Sequence, residues 1–225
     1  MSPSGELSRF RVTLGLRAPA DLAVYLFPGV QLQELLNRDI ALLGDAEILW
    51  ATRSPDPELQ QQRLLSYMLL RRVLGSWLGV APGSLSFELG GDKRLRLRDA
   101  SRAPRFSLSR SQGLIALALA PVTVGVDVET WQSQAQAEQL LQVLHPDDQR
   151  LLSWLPPELK AREVTAAWTR KEASLKVLGT GLLRDPALDR VGSRVHPLAP
   201  QGVQVRQLRV PHSLGAEVAV GWAAD

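Results

Sequence analysis

The stretch VTVGVDVE, residues 122–129, carries two carboxylates two positions apart. In an extended strand, side chains alternate between faces. Val122, Val124, Val126 and Val128 then share one face, and Thr123, Gly125, Asp127 and Glu129 share the other, with the carboxylates roughly 6–7 Å apart. Two readings fit the pair. It is the solvated face of a strand, or it is part of a hard-cation site, since Mg2+ accepts a few carboxylates and completes its shell with water and phosphate oxygens. In the second reading Gly125 leaves room for a ligand. A second pattern, WTRKEASLKVLGTGL at 168–182, reads as a helix on which Val164, Trp168, Leu175 and Leu178 form an apolar stripe. Lys171 falls inside that stripe and must snorkel or meet an anion. Glu172 and Lys176 lie along its edge. They are either a solvated i,i+4 pair, worth a few tenths of a kcal/mol, or a third carboxylate and a phosphate-neutralising ammonium facing a cleft.

Two basic stretches add phosphate-binding chemistry. In RFSLSRSQG, residues 105–113, Ser109, Arg110 and Ser111 precede a turn, so hydroxyls, a guanidinium and turn amides come together. The alternative is a plain hairpin with solvated serines. GGDKRLRL, residues 90–97, places Lys93 and Arg94 after a flexible Gly-Gly, as a basic turn would. Arg71, within a long helical pattern, reads as a snorkelling rim residue. Only four of the 26 basic residues are lysine, namely Lys93, Lys160, Lys171 and Lys176. In an arginine-rich chain a retained lysine marks a place for a compact point charge.

The elements that must position these groups follow from periodicity and punctuation. Residues 10–52 mix β-like runs (RVTLGL, LAVYLF, EILWAT) with a helical piece, VQLQELLNRDIALLG. A helix starts in SPDPELQQQ, where Ser54 or Asp56 can cap, and runs to about Leu78 before Gly79 and Pro82. SLSFEL, KRLRLR, RFSLSR, GLIALALA and TVGVDVE then read as an antiparallel meander. After Glu129 come helical runs, QSQAQAEQLLQVL, HPDDQRLLSWL and PELKAREVTAAWTRKEASLKVLG, and then the strands RVHPL, GVQVRQLRV and AEVAVGWAA. Each half has a long helix followed by strands, which divides the chain into two α+β halves near residues 120–130.

Composition narrows the function. With 45% hydrophobic and 22% charged residues the 225-residue chain is globular. It has no cysteine and three histidines, which excludes disulfides, thiolate zinc sites and cysteine nucleophiles. Any metal is then held by carboxylates. A net charge of +3 suits an acidic partner or a phosphorylated ligand. No recognition-helix or aromatic-and-basic strand motif points to nucleic acid. No apolar run approaches the ~20 residues of a membrane span, and the N-terminus lacks the features of a signal peptide, so a cytoplasmic protein with no membrane partner is expected.

Taken together, FSLSRS, GVDVE and WTRKEASLKVLGTGL, in this order and spacing, resemble the surfactin-type 4'-phosphopantetheinyl transferases. Those enzymes carry an F-[NS]-[IL]-S-H-S segment, a G-[IV]-D-[IV]-E strand and a W-x-x-K-E-[AS]-x-x-K-x-x-G-x-G-L helix. LLSYMLLRRVLGSWLGVAPGSLSFELGGDKRL and AEVAVGWAA extend the likeness over residues 60–225. The resemblance implies Mg2+-dependent transfer of the 4'-phosphopantetheine arm of coenzyme A to a serine of an apo acyl or peptidyl carrier protein, releasing adenosine 3',5'-bisphosphate. It implies an α+β fold, a pseudo-twofold monomer of two similar halves with coenzyme A between them. The halves would be residues 1–121, whose first ~55 residues diverge from the family, and 122–225, which carry the carboxylates. Asp127, Glu129 and Glu172 match the Mg2+ carboxylates, with Asp127 also at the coenzyme. Glu172 is also matched as the activator of the serine hydroxyl, directly or through water. Lys176 matches the lysine at the transferred phosphate, and Arg71, Lys93, Ser109 and Arg110 match nucleotide-phosphate contacts, with Arg94 beside them. The sequence departs from the family in two of these places. Arg110 stands where the family has histidine, which keeps phosphate binding but loses a neutral proton carrier. The family's G-K-P turn reads Gly91-Asp92-Lys93-Arg94.

Overall fold

The computed structural model of the chain describes residues 7–14, 18–29, 40–89, 95–98 and 104–224. Its elements are β1 (Arg11–Val12), β2 (Ala23–Pro28), α1 (Asp45–Ala51), α2 (Pro57–Leu78), β3 (Phe87–Leu89), β4 (Leu95–Leu97), β5 (Arg105–Ser111), β6 (Leu114–Ala120) and β7 (Val124–Thr130). They continue with α3 (Gln134–Gln142), α4 (Pro146–Ser153), α5 (Pro157–Leu178), β8 (Val203–Leu208) and β9 (Ala216–Ala223). This is the α+β build expected. By packing, the chain divides into two compact units, Met1–Arg11 with Leu26–Pro104, and Val12–Tyr25 with Arg105–Asp225.

In the first unit α2 begins where Asp56 accepts the Glu58 N–H and Pro57 takes the first helical position, and it ends at Gly79 with φ 70°. EILWAT does not form the expected strand. Asp45–Ala51 is helix α1, because the Glu47 carboxylate reaches back to the Gly44 N–H at 2.9 Å and Asp45 and Glu47 sit at the positive end of the helix dipole. A local cap outweighs β-like composition here. Of the expected helix at 30–44, residues 30–39 lie outside the described residues, and Ile40–Leu42 form a 3-10 turn. β3 and β4 pair antiparallel, with Phe87 opposite Leu97.

In the second unit β5 and β6 form an antiparallel hairpin closed by Gln112 and Gly113, whose φ values of 37° and 79° suit a two-residue turn. β6 is buried along its whole length. Val12 of β1 and Ala23–Tyr25 of β2 also belong to this unit, and the strand order is β1-β2-β6-β5. β7 does not continue the meander. It pairs antiparallel with β9, and β9 with β8, as a separate sheet. β5 meets β7 through serine side chains in place of a main-chain ladder. The expected strand RVHPL is also absent. Only an isolated bridge, Gly192 to Pro197, remains, since Pro197 has no N–H to donate.

α5 covers the β7–β9 sheet on the face of Gly125, Asp127 and Glu129. A Cβ on Gly125 would lie 2.2 Å from the Ala173 carbonyl oxygen and 2.8 Å from Lys176 Cβ. The space the sequence assigns to a ligand at Gly125 is therefore filled by the helix. Its other side packs on α3 and α4 through Ala137, Leu141, Leu144, Leu152, Val164 and Ala167.

Candidate active site

β7 and α5 bring Asp127, Glu129, Glu172 and Lys176 together within the second unit. Close packing at Gly125 lets Lys176 lie across the strand, where its Nζ donates to Val126 O and Asp127 Oδ1, both at 2.8 Å. Asp127, only 3% exposed, accepts a second bond on Oδ1 from Ser109 Oγ at 2.7 Å. Its other oxygen, Oδ2, is buried without a hydrogen-bond partner among the described residues. An ionised carboxylate with one oxygen doubly held and the other buried and bare is costly unless a further cation or donor reaches it.

The neighbouring carboxylates feel this crowding. Burial, and then the Asp127 charge, push Glu129 up to about 7, against the lowering effects of Ser111 and Lys176. Glu172 is raised by the same two causes, burial first and Asp127 second, with Lys176 opposing. Glu217 lies directly opposite Glu129 in the β7–β9 register. Burial pushes Glu217 up, but hydrogen bonds from Arg194 and Arg162 outweigh it and hold its carboxyl below the usual range. Its charge is thus compensated locally. Asp127, Glu129 and Glu172 are oxygen donors of the type a hard divalent cation takes, and Asp127 Oδ2 is the one of their oxygens that is buried and bare. Among the described residues, no group of three or more His, Cys, Asp and Glu side chains is drawn close enough to hold a metal as the site stands.

The remaining sequence-derived residues fall in other settings. Ser109 is in the cluster, bound to Asp127, but Arg110 projects to the opposite face of β5 from Ser109. Arg71 belongs to the first unit and is not a rim residue. At 4% exposure its Nε donates to Glu47 Oε1 at 2.9 Å, and its Nη1 donates to Pro82 O and Leu85 O at 3.0 and 2.8 Å. Its guanidinium also covers the Phe87 ring. A guanidinium held in this way organises its own unit. Lys93 and Arg94 lie outside the described residues. Lys171, buried at 1%, does not snorkel; its Nζ donates to the Asp189 carbonyl. The sequence reading did not single out Ser107 or assign Ser111 to a carboxylate. The available signal was S-x-S-x-S, which puts all three serines on one face of β5.

The matched stretch of the chain contains this cluster. Residues 123–214 match the 4'-phosphopantetheinyl transferase superfamily, which includes Asp127, Glu129, Glu172 and Lys176. The chain belongs to this superfamily and is an enzyme of the class. It is 33% identical over 181 residues to the 4'-phosphopantetheinyl transferase HetI of Nostoc sp. (strain PCC 7120 / SAG 25.82 / UTEX 2576), covering 79% of this chain and 73% of HetI.

Proposed function

We propose that this chain transfers the 4'-phosphopantetheine arm of coenzyme A to a serine of an apo carrier protein in the surfactin-type manner, with Mg2+ and with release of adenosine 3',5'-bisphosphate. The observation that carries the reading is Asp127, one oxygen held by Ser109 and Lys176 and the other buried and bare, in a residue whose charge is felt by both Glu129 and Glu172. Asp127, Glu129 and Glu172 would hold the cation. When bound, it neutralises the charge of the diphosphate and favours departure of the nucleotide phosphate.

The chain's own groups do the rest. The serine oxygen of the carrier forms a bond to phosphorus, and the bond from phosphorus to the bridging oxygen breaks, its electron pair leaving with adenosine 3',5'-bisphosphate. The serine proton goes to Glu172, directly or through a water. Glu172 makes no hydrogen bond to a described residue that would compete for the serine proton. Lys176 has committed two of its three N–H donors to Val126 and Asp127, so its ammonium is fixed in place as a point charge at the site.

We also propose two similar halves in a monomer, residues 1–121 and 122–225. The support is local build: α2 and α5 are each 22 residues long, start with proline and stop at a left-handed glycine, Gly79 and Gly179. Incubating apo carrier protein with this enzyme, coenzyme A and Mg2+ tests the function, with a mass gain of one phosphopantetheine arm expected. Glu172→Gln should lose most of that activity and keep its fold. No gain with acyl or peptidyl carriers would refute the reading, and a fully active Glu172→Gln would remove Glu172 from its role.

A further inference from the structure

Three alternate residues of β5, Ser107, Ser109 and Ser111, are serines facing β7, and each reaches a different atom. Ser107 Oγ accepts the Val126 N–H at 3.0 Å. Ser109 Oγ donates to Asp127 Oδ1 at 2.7 Å. Ser111 Oγ accepts the Thr130 N–H at 3.1 Å and donates to Glu129 Oε2 at 2.9 Å. The three rungs are not equivalent. Ser107 touches main chain alone, whereas Ser111 joins a carboxylate to the amide that follows it.

A hydroxyl has one proton to give. With a lone pair of Ser111 taken by the Thr130 amide, the hydroxyl is anchored to the β7 backbone and its proton is directed to Glu129. Left to itself, a glutamate two positions from Asp127 on the same strand face would turn away, since like charges at short range repel strongly when partly removed from water. The hydrogen bond from Ser111 opposes that turn. It occupies Oε2, and Oε1 makes no hydrogen bond to a described residue.

We propose that Ser111 is a positioning residue of the transferase centre, restraining the Glu129 carboxylate on the β7 face that it shares with Asp127, where a divalent cation would take it. The inference rests on the reading of Asp127, Glu129 and Glu172 as the cation's ligands. Groups that orient a metal ligand without touching the metal change affinity by about 10- to 100-fold when removed.

The test uses the purified full chain, free of coenzyme, titrated with Mn2+ and followed by electron paramagnetic resonance, with melting in EDTA measured alongside. Ser111→Ala should weaken Mn2+ binding by about tenfold or more, and Ser111→Thr, which keeps the hydroxyl, should restore it. Ser107→Ala should lower the melting temperature and leave Mn2+ affinity as in the wild type. If Ser111→Ala fails to fold, Ser111→Cys, of similar size and a feeble donor, should show the same loss. Wild-type affinity in Ser111→Ala beside weakened binding in Glu129→Gln would overturn the proposal alone. Wild-type affinity in Glu129→Gln would overturn the ligand reading and the proposal with it. An equal loss in Ser107→Ala and Ser111→Ala would make the serines merely structural.

Discussion

Gly125→Ala tests how closely α5 is set against its strand. The added methyl would stand 2.2 Å from the Ala173 carbonyl oxygen, 2.8 Å from Lys176 Cβ and 3.1 Å from Val177 N. Reaching even 3.0 Å from that oxygen requires a displacement of about 1 Å. Neither side yields locally, because the carbonyl belongs to α5 and Gly125 is paired with Gly221 in the β7–β9 ladder. Overpacking of this kind costs about 3 kcal/mol, which for a chain of this length lowers Tm by about 10 °C. The displaced helix carries Glu172 and Lys176, and a misplacement of about 1 Å at reacting groups costs about 100-fold in turnover. Gly221→Ala is the internal comparison. Its nearest contacts are 3.2–3.3 Å, so neighbours adjust by a few tenths of an ångström and the loss stays under about 1 kcal/mol. Melting curves and carrier-modification rates of both variants give the answer. Equal effects from the two alanines, or a Gly125→Ala protein with wild-type Tm and turnover, would refute the packing argument.

Three other expectations follow from the site and its supports. The metal-free protein should lose stability as pH rises from about 4.5 to about 7, because Glu129 binds its proton more tightly folded than unfolded. The loss is at most about 3 kcal/mol from this group, Glu172 adds to it in the same direction, and Mg2+ should recover it near pH 8; a denaturant midpoint in EDTA that climbs steadily from pH 5 to 7.5 would contradict it. Glu47→Gln leaves the Arg71 guanidinium buried beside a neutral amide and should cost about 3 kcal/mol in denaturant unfolding, as broken buried pairs do; a cost under about 1 kcal/mol would return Arg71 to the surface role first read from its helix. Arg110→His should retain carrier modification measured by mass spectrometry, since the role proposed for that position is phosphate binding alone, and loss of activity would show a specific task for the guanidinium.

What could be read from the sequence was what repeats with a short period. Alternation in VTVGVDVE puts Asp127 and Glu129 on one face, and helical spacing puts Glu172 and Lys176 along one edge of α5; the serine and lysine bonds to β7 agree with both placements. The strands β5, β6, β8 and β9 and the helices α2 to α5 were visible for the same reason. What escaped depended on partners far along the chain or on a single cap. Arg71 looked like any amphipathic rim residue until Glu47, 24 positions earlier, closed around it. EILWAT has β-like letters, but Glu47 bonding the Gly44 amide turns it into a helix. Gly125 reads as room for a ligand, but the space is taken by the α5 backbone and Lys176. The meander failed at β7 because the serines of β5 could satisfy it sideways, leaving its main chain for β9.

Among the described residues, β5 and β7 are each the outermost strand of their sheet, and they face one another. Each therefore shelters a border that would otherwise solicit a stray chain. Because side-chain oxygens bridge this seam, its spacing is open to adjustment by point substitution, whereas altering either sheet means shifting a whole register of amides. Evolution, or an engineer, can in this way retune the gap beneath the acidic cluster while both sheets stay as they are.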